Sequence, residues 1–217
     1  MPLYTQAPNY GRLLALLLLL IVGAPLVPRW GHGLVFELVF ALMMLAAASH
    51  AAWRRGHRHL YLWSTALAFA LRTAALLWRD HLLAFAAAQV GTTLWLLYTV
   101  VLTGRDVATW QRIDRNALMG ALVAYLLSAF AFASLYHLIE GLWPASFAGV
   151  PEDLPAHELA QLLLYFSLVC ITTLGFGDIA PTSVAVRPWV ALEAVYGVMY
   201  VAVTMAHLVA LQKRAKR

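Results

Sequence analysis

The chain has 217 residues, of which 63% are apolar and 12% are charged, whereas soluble domains are about one-quarter charged. This composition excludes an ordinary soluble enzyme and indicates an integral membrane protein. A net charge of +5 would suit nucleic-acid binding, but the basic residues cluster at the ends of apolar segments, as membrane topology requires. Cys170 is the only cysteine, so the sequence indicates neither an internal disulfide nor a cysteine-based metal site.

Six apolar segments are predicted to be membrane spans, in chain order residues 13–27, 34–53, 60–78, 82–102, 117–139 and 188–211. The first is short for a hydrocarbon core about 30 Å thick. It lacks the small-residue cleavage pattern of a secretory signal, so we expect it to be retained. A further apolar segment at 157–171 is too short to cross and is predicted to be a re-entrant helix. The predicted fold is therefore an all-α membrane protein with six transmembrane helices.

The basic residues indicate which ends of the spans face the cytoplasm. Three Arg lie at 54–59, three more at 104–115 and four Lys or Arg at 212–217. With six spans these segments share one side, so both termini are predicted to lie on the cytoplasmic side of the cell membrane. The segment 140–187 holds five acidic residues and only Arg187 as a basic one, and it is predicted to face outward.

A segment with the sequence TTLGFGD occupies residues 172–178, directly after the predicted re-entrant helix. Glycine tolerates positive φ and carries no side chain. Glycines alternating with other residues let successive carbonyl oxygens point to one side, instead of alternating as in a strand. Such a column, continued by the Thr173 hydroxyl, can replace the water around a dehydrated monovalent cation. One chain supplies only one wall of the column, and four copies would close it.

This segment resembles the selectivity filter of tetrameric potassium channels. The resemblance implies a homotetramer that conducts K⁺ passively, with K⁺ as the permeant ion, no other cofactor and no nucleic-acid partner. It implies a filter of Thr173, Leu174, Gly175, Phe176 and Gly177, with K⁺ bound at the first four. A glycine-rich turn without a conduction role is the alternative. An enzyme is not expected, because the eight histidines are scattered and there is neither a serine-centred elbow nor an HExxH motif.

Residues around the filter extend the resemblance, which implies supporting roles for Thr172, Asp178, Tyr165, Phe166 and Glu140. Tyr165 stands where the family often has a Trp bonded to the Asp after the filter, so a link from its hydroxyl to Asp178 is expected. Glu140 resembles a family glutamate that bonds backbone behind the filter. Phe166 and Phe176 replace residues that hydrogen-bond each other in the family, and that bond is unavailable here. A weakly selective monovalent cation channel is therefore the alternative function.

The same resemblance divides the chain. Residues 1–103 correspond in position to a four-helix voltage-sensor domain, 104–115 to a cytoplasmic linker, 116–211 to a pore domain and 212–217 to a basic tail. Moving one charge across the full field is worth about 2.3 kcal/mol per 100 mV, so steep gating needs several charges. Residues 82–102 contain no Lys, Arg, Asp or Glu, whereas sensor domains carry a ladder of Arg in this span. Weak or no sensor-driven voltage dependence is expected.

Two ionisable residues lie inside the four-helix unit. Glu37 is near the outer end of the second span and Arg72 is in the outer half of the third. An unpaired charge in lipid is costly, so we expect the two side chains to form a structural pair. The alternative is that Arg72 is a residual field sensor.

The sixth span holds the candidate gating residues. Gly197 lies where the family has a hinge glycine, and close helix packing is the alternative explanation. The inner cavity and gate are predicted around Thr204, Ala206 and His207, where His207 is either a cytoplasmic pH sensor or a packed histidine. Glu193 is at buried depth without an obvious partner. The basic tail is expected to contact anionic lipid head groups or simply to anchor the chain.

Overall fold

The computed structural model describes residues 10–23, 32–51, 58–78, 81–109, 114–151 and 153–215. Most of the predicted basic loop at 54–59 and the end of the basic tail lie outside the described residues. The described part of the chain is mostly helical. Its elements are α1 (Tyr10–Leu18) continuing as a π-helical turn (Leu19–Gly23), α2 (His32–Ala51), α3 (Arg58–Leu77), α4 (Leu82–Thr109), α5 (Arg115–Leu142), β1 (Phe147–Ala148), α6 (Ala156–Ile171), β2 (Ala180–Pro181) and α7 (Arg187–Ala215).

Four helices are long and apolar enough to cross a membrane, within the ranges just given. They cover His59–Leu77, Leu82–Thr109, Arg115–Leu142 and Arg187–Leu211. Two further apolar helices, Tyr10–Gly23 and Ala156–Ile171, are shorter. The third to sixth predicted spans coincide with these four helices, which mark the chain as a membrane protein.

The segment predicted as a polar linker at 104–115 is helical in its first half, because α4 continues to Thr109. No proline interrupts 104–109, and its polar side chains are compatible with a helix that leaves the membrane. Asp114 then starts α5 as its N-cap, since its carboxylate accepts a hydrogen bond of 2.7 Å from the backbone N–H of Ala117. Such a cap stabilises a helix start by about 1 kcal/mol.

The first four helices share one hydrophobic core with the helices that follow them. Both α4 and α1 pack along α5, and α2 reaches α6. Tyr10 ties the start of α1 to this arrangement, because its backbone N–H donates to Asn116 (3.0 Å) and its hydroxyl to Asp106 (2.9 Å). The core contains residues of α1 to α6, among them Leu13, Leu17, Met43, Tyr61, Trp95, Val123, Leu127, Phe130 and Leu164. Packing is thus continuous across the domain boundary predicted at residue 103.

A second, smaller core lies between α5, α6 and the loops on either side of α6. It contains Tyr136, Ile139, Phe147, Leu163, Phe166, Ile179 and Val186. The two short strands pair antiparallel above it, with Phe147 opposite Pro181 and Ala148 opposite Ala180. This pairing joins the loop before α6 to the chain that follows residue 178.

Candidate functional site

The segment 172–178 leaves α6 through a tight turn. Thr172 caps the helix, and its hydroxyl donates to the carbonyl of Leu168 at 2.7 Å. The backbone N–H groups of Thr173 and Leu174 then donate back to the carbonyls of Cys170 (2.9 Å) and Val169 (3.0 Å). The segment therefore begins at the carboxyl end of α6, where the helix dipole favours a cation.

The sign of the backbone φ angle alternates along this segment. Thr173, Gly175 and Gly177 have φ angles of +59°, +58° and +79°, while Leu174 and Phe176 between them do not have positive φ. A Cβ at either glycine would meet nothing within 4 Å, so the backbone conformation, and not packing, is what calls for glycine there. Positive φ at the two glycines fits the sequence-based argument, whereas positive φ at a β-branched Thr is rare and the sequence did not signal it.

Tyr165 and Asp178 are brought together as expected. The Tyr165 hydroxyl donates a hydrogen bond to the Asp178 carboxylate at 2.7 Å. On the other side, Gly149 lies against the backbone of Asp178. Its φ is +82°, and an added Cβ would lie 2.0 Å from the Asp178 carbonyl oxygen, so only glycine permits this approach.

Phe166 faces away from the filter segment and into the smaller core. It is buried, and its ring makes edge contacts with Tyr136 and Phe147 at centroid distances of 5.5 and 5.2 Å. Phe176 is exposed in the single chain. Neither ring carries a polar atom, so this pair of positions offers no hydrogen bond behind the filter segment.

Glu140 organises the loop that follows α5. Its carboxylate accepts hydrogen bonds from the backbone N–H groups of Ala145 (2.9 Å) and Ser146 (3.0 Å). The carbonyl of Ser146 accepts from the N–H of Thr182 at 2.9 Å, and the Thr182 hydroxyl donates to the Ala145 carbonyl at 2.8 Å. Glu140 thus accepts hydrogen bonds from the backbone, as the resemblance implied. It fixes the loop at Ala145 and Ser146, which in turn is hydrogen-bonded to Thr182 in the chain beyond Asp178.

Glu37 and Arg72 form a bidentate ion pair. Arg72 Nε lies 2.6 Å and Nη2 2.7 Å from the two carboxylate oxygens, and the guanidinium stands 4.3 Å over the ring of Phe40. Bidentate geometry makes this one of the stronger kinds of ion pair. The structure therefore joins these two residues in a pair, the first of the two roles that the sequence left open.

Gly197 lies inside the continuous helix α7 and contacts the end of α6. An added Cβ would lie 1.9 Å from the carbonyl oxygen of Ile171, which also accepts a hydrogen bond of 2.8 Å from the Tyr125 hydroxyl. Close packing, the alternative explanation for this glycine, is thus present. The hinge role stays a prediction.

The remaining gating candidates lie toward the end of α7, away from the filter segment. Thr204 and His207 are half-buried and Ala206 is exposed. His207 Nε2 is buried without a hydrogen-bond partner among the described residues. The structure does not bring these three residues together with residues 173–177.

Sequence reasoning gave no partners for Glu193, which is completely buried on α7. Its carboxyl group contacts the hydroxyls of Tyr136 at 2.6 Å and of Ser167. The sequence signalled only an acidic residue at membrane depth. It did not indicate the partners, because the rotation of each helix about its axis decides which hydroxyls the carboxyl group contacts.

Residues 120–213 match a protein-family model described as "Ion channel". The match covers α7, α6 and most of α5, which is less than half of the chain. A comparison with curated proteins and one with solved structures gave no match. The match and the long apolar helices together support an ion channel in a membrane, and they do not point to an enzyme.

Proposed function

We propose that this chain is the subunit of a homotetrameric channel that conducts K⁺ passively and selectively. The observation that carries the proposal is the backbone of residues 173–177, in which positive φ recurs at every second residue at the end of a short apolar helix. K⁺ would shed water against the Thr173 hydroxyl and the carbonyls of Thr173, Leu174, Gly175 and Phe176, and it would advance by displacement between adjacent sites.

The surface that one chain leaves uncovered supports the proposed tetramer. Residues 172–178 are exposed in the single chain, and one segment forms only one side of a column of oxygens. The helix α7 also presents an apolar surface that the other described residues leave uncovered. Its exposed side chains include Leu192, Val195, Val198, Met199 and Val203. Four copies packed through α7 would cover these residues and close the column.

We propose six spans with α6 as a re-entrant helix and with both termini in the cytoplasm. The four long helices provide four spans, and the segments containing α1 and α2 provide the first two. The Arg-rich segments 54–59 and 104–115 then lie on the cytoplasmic side with the tail, where anionic lipids attract basic residues. The acidic loops around α6 face outward and raise the local concentration of cations.

Opening is proposed to depend little on voltage. Residues 82–102 of α4 contain no charged side chain. The first four predicted spans contain two charged residues, Glu37 and Arg72, and these form an ion pair with each other. A paired charge contributes little net charge movement through the field, so a steep response is not expected.

A weakly selective cation channel is the second candidate, and the missing polar contact between Phe166 and Phe176 favours it. The Tyr165–Asp178 hydrogen bond still supports the filter segment from behind. For this reason a K⁺-selective channel is proposed ahead of a weakly selective one. Purified protein in liposomes, tested in K⁺ and Na⁺ gradients, separates the two through the reversal potential. A value near that of K⁺ supports the first candidate, and one near zero in a K⁺/Na⁺ gradient supports the second.

Two controls make this experiment specific to the filter segment. Gly177→Ala places a side chain at a φ of +79° and should abolish flux, whereas Gly104→Ala meets nothing within 4 Å and should preserve it. The mass of the purified particle should be that of four chains. A monomeric or dimeric particle, or equal flux through both variants, would overturn the proposal.

A further inference from the structure

Glu193 lies outside the proposed ion path, behind the helix that carries the filter segment. It is on α7, is 0% exposed even in the single chain, and faces α5 and α6. Its position is one helical turn before Gly197. Ser167 on α6 is likewise one turn before Ile171, the residue that Gly197 contacts. Glu193 and Gly197 therefore hold two successive turns of α7 against two successive turns of α6.

Three short oxygen–oxygen contacts form a chain through this residue. The Tyr136 hydroxyl lies 2.6 Å from Glu193 Oε2, and the Ser167 hydroxyl oxygen lies within hydrogen-bond distance of Glu193 Oε1. The same Ser167 oxygen is 2.8 Å from the backbone carbonyl oxygen of Ala129. At these separations each contact needs a proton between the two oxygens, since two bare oxygens repel each other.

The number of protons decides the state of the carboxyl group. A tyrosine or serine hydroxyl carries one proton, and a backbone carbonyl carries none. Because the Ala129 carbonyl can only accept, the proton of Ser167 belongs to that contact. The proton of Tyr136 belongs to its contact with Oε2. The contact between Ser167 and Oε1 then has a proton only if the carboxyl group supplies it.

The surroundings agree with a neutral group. The titratable side chains that interact with Glu193 include Tyr125 and Tyr136 from α5 and Cys170 from α6, and none of these carries a positive charge. An ionised carboxylate buried here would have no compensating cation among these groups, which is strongly unfavourable. The structure thus differs at this point from the Glu37–Arg72 pair, where the charge is matched.

We infer that Glu193 is a protonated carboxylic acid that donates to Ser167 and accepts from Tyr136, and that in this form it positions α6, and so the filter, against the inner helix. The part of the inference that concerns the filter rests on the proposed channel function. Loss of the proton would remove one of the three hydrogen bonds and leave a buried charge. It would therefore loosen the attachment of α6 to α7.

Glu193→Gln tests the protonation state. An amide presents one oxygen that accepts from Tyr136 and one NH₂ group that donates to Ser167, so it reproduces the neutral acid. Infrared spectra of the purified protein should show a carboxylic acid C=O band in the wild type that is missing from the variant. The melting temperature should stay within about 2 °C of the wild type. If the band lost is that of an ionised carboxylate instead, the inference is wrong.

Glu140→Gln is the matched control, because both oxygens of Glu140 accept from backbone N–H groups. An amide cannot accept at both positions, so this variant should melt at least about 4 °C lower. Equal destabilisation by the two Gln variants, including failure of Glu193→Gln to fold, would overturn the inference. Neither the infrared spectrum nor the melting temperature depends on ion flux, so both remain interpretable if the channel proposal itself fails.

The positioning role is tested by the pH profile of flux in liposomes. If the pH is raised until the carboxylic acid band of Glu193 disappears from the infrared spectrum, wild-type flux should fall at that pH, while flux through Glu193→Gln should not fall. Identical profiles would show that the proton does not position the filter. No flux in the wild type at any pH would refute the channel function and leave the infrared result standing.

Discussion

Gly197 offers the sharpest test of how α7 is held against α6. Replacing it with alanine adds a methyl group 1.9 Å from the carbonyl oxygen of Ile171 and 3.0 Å from its Cγ1. The nearest obstacle is backbone, so it cannot rotate away as a side chain would. The helix must shift outward, and the hydrogen bond from Tyr125 to the same carbonyl is disturbed with it.

The size of the effect follows from two opposing terms. Alanine is favoured over glycine inside a helix by about 1 kcal/mol, whereas overpacking costs about 1–3 kcal/mol. Gly104 is also helical, and a Cβ there meets nothing within 4 Å, so Gly104→Ala gains the first term without the second. The two variants should therefore differ by about 1–3 kcal/mol, or about 2–12 °C in melting temperature for a chain of this size.

The assay is thermal unfolding of the purified protein in detergent, followed by tryptophan fluorescence. Because unfolding of membrane proteins is often irreversible, both variants must be heated at the same rate. Gly197→Ala should melt clearly below Gly104→Ala. Equal melting temperatures would refute the packing argument and return Gly197 to the role of a hinge alone.

Three further predictions concern the other contacts and the voltage response. Arg72→Gln should destabilise the fold by about 1–3 kcal/mol, because the half-buried Glu37 carboxylate loses its positively charged, bidentate partner. Exchanging the two residues should restore part of the loss, and a double variant no better than either single one would count against the pair. Tyr165→Phe should leave folding intact and make K⁺ current decay faster during sustained opening, because the hydrogen bond to Asp178 is lost. Tyr98→Phe is its control, since the buried Tyr98 hydroxyl has no hydrogen-bond partner among the described residues, and equal decay in both would contradict the argument. Open probability in a planar bilayer should change little with voltage, and steep opening carried by several gating charges would contradict the prediction from residues 82–102.

The helices were largely predictable from the sequence because the length of an apolar run and its polar ends set where a helix enters and leaves the membrane. A short helix was predicted at 157–171, and α6 runs from Ala156 to Ile171. The end of α4 was missed, because a polar segment without proline continues a helix as readily as it forms a linker. Only packing at the membrane surface distinguishes the two.

Contacts between side chains were predictable only where depth or resemblance restricted the partner. Opposite charges at similar depth suggested Glu37 and Arg72, and resemblance suggested Tyr165 and Asp178. The hydroxyls around Glu193 depend on how α5, α6 and α7 are rotated about their axes, which apolar runs do not specify. The positive φ of Thr173 could not be foreseen either, because a β-branched residue ordinarily avoids it.

The continuous core has a practical consequence for protein engineering. A truncated protein that begins near residue 116 would retain the region similar to ion channels. It would also bare the face of α5 that α1 and α4 cover, including Val123, Leu127 and Phe130. The point at which sequence similarity begins is therefore not a point at which this protein can be cut, because α1 and α4 cover apolar side chains of α5.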